Sequence, residues 1–163
     1  MSEVEAAAGR LADDLGSDRI YLQPVDERRF DPASLGLIVC LYILISVGQG
    51  ICDGLRAASA EATGDAIEAV GKEVQRLVRR RIPEAMSQGS ADEELDRLAA
   101  ECETAWEEAL RATAAVQHQR LAEVATAAVG QELRDQGLPE GTVQRMCLTL
   151  QAELETLLRR RTI

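Results

Sequence analysis

At 163 residues the chain can hold one domain with a modest core but not two sizeable ones. Hydrophobic residues make up 46% and aromatics only 2%, so the apolar area comes from Ala, Leu, Val and Ile, a supply that favours close-packed helices over a sheet sandwich. The net charge of −10 argues against nucleic acid as a partner, because that role needs a basic surface to neutralise phosphates.

The charge is unevenly spread. Residues 1–31 carry eight acids and four bases, 32–52 carry none, 53–82 carry five acids and six bases, and 83–163 carry fifteen acids and eight bases. Seventeen of the eighteen bases are arginine, which reads as the coding bias of a GC-rich bacterial genome. Cys40, Cys52, Cys102 and Cys147 are isolated, without a C-x-x-C pair or a neighbouring histidine. They read as reduced small hydrophobes of a cytoplasmic compartment, not as a zinc site or a disulfide framework.

In chain order, residues 1–31 form a leader. Ser2 can cap a short helix with Val4, Ala8, Leu11 and Leu15 on one face, and Gly16 stops it. "RIYLQPV" then alternates as one brief extended segment. The leader is acidic and the apolar run follows it late, so no secretory signal peptide is read here.

Asp31 and Pro32 are a strong helix start, and no proline follows until Pro83. One helix over 32–82 is therefore expected, roughly 50 residues and about 75 Å long, with a kink permitted near Gly48 to Gly54. Its first part, 32–52, is uncharged and about as long as a bilayer crossing demands. The apolar residues are Leu35, Leu37, Ile38, Val39, Leu41, Ile43, Leu44, Ile45 and Val47. The strongly apolar stretch alone, Leu35 to Gly48, has the length of a buried core helix. Three readings stand: a membrane span, a soluble core helix, and a helix sheltered in one state and inserted in another.

The second part, 50–78, carries a helix-packing seam. Gly50, Gly54, Ala57, Ala60, Gly64, Ile67, Gly71, Val74 and Val78 recur in steps of three and four, and small side chains at that spacing let backbones approach. Gly50-x-x-x-Gly54 opens it. The seam packs either a sister copy or partner protein, or this chain's own later helices. Arg76, Arg79, Arg80 and Arg81 crowd the helix end, where cations meet the negative end of the dipole. On a straight helix they lie roughly 40 Å beyond Cys52, too far to meet lipid heads.

Residues 90–163 form a C-terminal helical module. Ser90 and Glu93 make a capping box. Leu95, Leu98, Cys102, Ala105, Ala109, Ala112 and Val116 form a stripe with Trp106 beside it, and the phase then shifts to Leu121, Val124, Ala128 and Leu133, as one curved helix or two consecutive ones would require. Gly137, Leu138 and Pro139 end that element, and Val143, Met146, Leu150, Leu154 and Leu157 mark the last helix. The fold class is all-α: a long apolar-then-amphipathic helix, then an antiparallel hairpin.

No reaction is named by the sequence. His118 is the only histidine, too few for a helical di-metal site, and no P-loop, H-E-x-x-H or G-x-S-x-G occurs. Glu101, Glu107, Glu108 and Glu123 read as wet helix faces. The expectation is a non-enzyme with no cofactor, no metal and no small-molecule substrate. Its partners are a lipid bilayer and a sister copy or partner helix, and its location is at the membrane, single-pass or inducible, or otherwise cytoplasmic. The alternative is a soluble helical interaction or scaffold domain with Leu35–Val47 as its core.

Overall fold

The computed structural model describes residues 3–15, 32–61, 66–85, 91–113 and 118–159; side chains at 32–35, 57–61, 66, 82–85 and 91–94 lie outside the description. The described residues form six helices: α1 (Glu3–Leu15), α2 (Pro32–Glu61), α3 (Ala66–Ala85), α4 (Ala91–Ala112), α5 (His118–Asp135) and α6 (Glu140–Arg159). The fold is all-α, as the composition and periodicity predict. The expected extended segment at 19–25, Gly64, Ser90 and Val116 lie outside the described residues.

Five of the helices are amphipathic, and each buries one stripe. Val4, Ala8, Leu11 and Leu15 of α1 and Val143, Met146, Leu150, Leu154 and Leu157 of α6 are all buried, at the spacing the sequence shows. In α4 the stripe runs from Leu98 to Ala109 and includes Trp106, while Ala112 is exposed. α2 differs: every residue from Ile38 to Gly48 is buried, so it has no wet face over three turns. A helix apolar all round needs covers on every side.

Those covers come from both halves of the chain. Gly50 lies against Val74 and Gly54 against Val70, so α3 runs antiparallel to α2. This differs from the single 75 Å helix expected over 32–82, which the structure divides into α2 and α3. The reason is that the small-residue seam closes on itself: folding back buries α2's glycines and α3's valines against each other, which a straight helix leaves unpaired. Gly71 meets Val124, and Arg79 meets Glu132, so α5 runs parallel to α3. Gly71 therefore belongs to a different interface from Gly50 and Gly54, although the heptad count puts them on one stripe.

The phase shift after Ala112 marks two helices. α4 packs on α2, and α5 and α6 make the antiparallel hairpin. That hairpin turns at Gly137, whose φ of +97° suits glycine. Gly137 N donates to Arg134 O at 3.0 Å and Leu138 N to Leu133 O at 3.2 Å, a Schellman end with Leu138 buried over it. α1 closes the bundle by lying antiparallel along α6, with Arg10 bonded to Glu153 and Asp14 to Thr149. One apolar core runs through all six helices.

Candidate functional site: the central apolar helix

The candidate membrane residues and the candidate seam share one helix, so the site is α2 together with its covers. Gly36–Arg56 is long and apolar enough to cross a membrane, by length and composition. Yet 83% of its most apolar window is buried inside the protein. Ile38, Val39, Leu41, Ile43, Leu44, Ile45 and Val47 are all buried, Leu37 is half-buried, and the Leu35 side chain is outside the description. Of the seam, Gly50, Gly54, Ile67, Val74 and Val78 are buried and Gly71 is half-buried; the side chains of Ala57 and Ala60 are outside the description.

Each cover grips α2 by a distinct device. On the α4 side, a methyl at Gly48 would stand 3.4 Å from the Ala105 backbone, so α4 lies close enough for Trp106 Nε1 to donate to Leu44 O at 3.0 Å. Trp106, in the core at 2% exposure, thereby satisfies its only donor. Within α2, Ser46 Oγ donates to Tyr42 O at 2.8 Å, which removes that hydroxyl from competition with the helix backbone. On the α3 side, the approach is closer still: a methyl at Gly54 would stand 2.5 Å from Val70 Cα.

Arginine ties the covers together. Arg81 Nη2 donates to Gln49 Oε1 at 2.9 Å and Nη1 to Glu101 Oε1 at 3.2 Å, so one guanidinium joins α2, α3 and α4. Its Nε is buried without a hydrogen-bond partner. The arginines are thus not 40 Å from the apolar helix as a straight chain requires; α3 folds back and sets Arg81 beside Gln49. Arg79 reaches Glu132 through Nη2 at 2.7 Å and Nε at 3.0 Å, and Gln75 Nε2 adds 3.2 Å. Glu132 is only 1% exposed while the Arg79 side chain is 65% exposed, so this tie between α3 and α5 is buried at its carboxylate end. Its signal in the sequence is a charge in an apolar register, four residues after Ala128 and three after Val129.

Glu107, Glu108 and Glu123 are exposed, while Glu101 is half-buried on Arg81. His118 is half-buried as the first residue of α5. All four cysteines are free thiols. Burial pushes the thiols of Cys40 and Cys102 far above their ordinary range, with Asp14 and Asp13 near Cys40 adding to it. Burial also raises Cys147, opposed by Arg134. Among the described residues, no three His, Cys, Asp or Glu side chains gather as a metal site. A scan against protein-family models, a search of curated proteins and a search of solved structures each returned no match.

Proposed function

We propose that the protein is a non-catalytic helical bundle that acts by contact with other macromolecules, with α2 as its sheltered core helix. The observation that carries this reading is the unbroken burial from Ile38 to Gly48. A permanent single-pass anchor would expose this stretch to lipid on most sides, and α2 instead carries three helical covers whose outer faces hold exposed charges such as Glu68, Lys72, Glu107 and Glu108. Dragging those charges into hydrocarbon costs about 2.5–3.5 kcal/mol each at the bilayer centre for Lys or Asp on insertion scales. Among the buried polar groups, Glu132, Trp106 and Ser46 each bond within or between helices.

A second reading is favoured by the length of Gly36–Arg56: a triggered state in which the covers open and α2 inserts. Carbonate extraction without detergent tests the first. Recovery of monodisperse protein in the soluble fraction is expected, and retention in the membrane pellet would overturn it. Dye release from liposomes, with Val39→Arg as the control, tests the second. Leakage abolished by the arginine supports insertion by α2, and leakage unaffected by it removes that reading.

A further inference from the structure

The covers of α2 are held in two different ways. α2, α3, α5, α6 and α1 close a circuit in which each helix packs on two others. Around it, Gly50 and Gly54 meet Val74 and Val70, Gly71 meets Val124, Gly130 meets Cys147, and Arg10 and Asp14 bond Glu153 and Thr149. Leu11, Ile43, Val129, Leu133, Met146 and Leu150 border a gap at the centre of this circuit that has no room for water, and among the described residues no α4 side chain borders it. α4 lies outside the circuit on α2, with a smaller contact on α1 and with Arg97 engaged as well. It is a seated cover, yet its departure breaks none of the packing that closes the circuit. α1 and α3 differ, because each is also seated on α6 or α5.

The fit of α4 on α2 is also the shallower one. A methyl at Gly48 would stand 3.4 Å from Ala105, whereas methyls at Gly50 and Gly54 would stand 2.9 and 2.5 Å from the Cα atoms of Val74 and Val70. α3 sits where a methyl has no room, and α4 where one nearly fits. Leu44, Gly48 and Cys52, at i, i+4 and i+8, share the α2 face under α4. Leu44 O accepts from Trp106, Gly48 lies on Ala105, and the Cys52 thiol feels the charge of Glu108. At the rim, Arg81 bonds Gln49 and Glu101 but leaves its Nε buried and unpartnered, a cost that water removes once Glu101 withdraws.

We propose that α4 is the lid of α2: it leaves the Leu44–Gly48–Cys52 stripe as a unit while the other five helices keep their packing. The closed state dominates, because opening bares two apolar faces, that stripe and the Leu98, Cys102, Trp106 and Ala109 face of α4. The lid rests on the triggered reading above for what the bared stripe then meets, hydrocarbon, and it deepens that reading by naming the cover that opens. Opening itself belongs to the protein in water, so it is measured without lipid and separately from insertion.

Thiol labelling of the full chain in urea tests it, with Cys102 as the probe on the buried face of α4. A lid exposes less surface than unfolding does, so below the unfolding midpoint the Cys102 rate should rise less steeply with urea than the unfolding constant. Without urea it should exceed the rate that global unfolding allows by at least about tenfold. Trp106→Phe removes the bond to Leu44 O and should raise the Cys102 rate, relative to the variant's own unfolding constant, by roughly fivefold. Should that variant fail to fold, Glu101→Gln weakens the rim bond to Arg81 and should act in the same direction. Cys102 labelling that tracks global unfolding at every urea concentration, or that neither variant accelerates, overturns the lid. Dye release from liposomes without Cys102 opening leaves insertion standing and removes the lid; Cys102 opening without dye release keeps the lid and removes insertion.

Discussion

Replacing Gly54 by alanine separates the folded-back arrangement of α2 and α3 from a straight helix by the sign of one stability change. In a straight helix the substitution helps, because glycine in a helix interior costs about 1 kcal/mol relative to alanine. In the hairpin, the added methyl would stand 2.5 Å from Val70 Cα and 2.6 Å from Val70 N. Carbon contacts settle near about 3.5–4.0 Å, and the obstructing atoms are backbone, so the two helices must part by roughly 1 Å. Overpacking of this kind costs typically about 1–3 kcal/mol, occasionally more, and with a backbone obstacle we take the upper end. Set against the propensity gain, the net loss is about 2 kcal/mol. For a chain of this size that lowers Tm by roughly 4–8 °C. Gly9→Ala is the internal control, because its methyl meets nothing within 4 Å and α1 should gain about 0.5–1 kcal/mol. Thermal melts followed at 222 nm and urea titrations with constant m-value read both. A Gly54→Ala protein as stable as the parent would refute the close contact, and with it the hairpin.

Other substitutions probe the remaining ties. Arg79→Met leaves the core carboxylate of Glu132 without its counter-charge and with Gln75 as the remaining donor described, whereas Arg76→Met breaks only the i,i+3 pair with Glu73. The urea midpoint should fall distinctly more for the first, and equal losses would contradict the buried tie. Glu132→Leu, which removes the charge and fills the space, should stay within about 1 kcal/mol of the parent. The bond from Arg134 holds the Glu140 carboxyl below its usual range, so the stabilisation it provides is complete above the ordinary carboxylate value of 4.5 and is lost as pH falls through the lowered one. The stability difference between parent and Arg134→Ala should be constant at neutral pH and vanish on acidification; a difference that grows below pH 4.5 would contradict the assignment. Among the thiols, Cys147 should react first with a disulfide reagent, and Cys40 only on unfolding. Native labelling of Cys40 as fast as Cys147 would show α2 open.

The helices were largely legible in the sequence, since each amphipathic stripe has its own period: Val4 to Leu15 and Val143 to Leu157 are buried as spaced. The end of α5 was legible too, because Gly137 and Pro139 have definite backbone meanings. The fold-back between α2 and α3 was not. A small residue every three or four positions reads the same whether its partner is another molecule or the next helix of the same chain, and no proline breaks the run. The α3–α5 and α2–α4 ties were equally hidden. Arg79 and Glu132, or Trp106 and Leu44, are brought together by packing more than fifty residues along the chain, which no local pattern encodes. Length and composition identified α2 as the decisive helix while leaving open what surrounds it; burial by α1, α3 and α4 is a tertiary property.

Hydrogen exchange of the full chain in detergent-free buffer addresses the sheltered core helix most directly. Amides from Ile38 to Ile51 should exchange only through global unfolding, with protection equal to the free energy from urea titration, while α1 exchanges faster. Exchange of the Ile38–Ile51 amides as fast as those of α1, or protection that arises only when lipid or detergent is added, would contradict a core helix covered by its own chain.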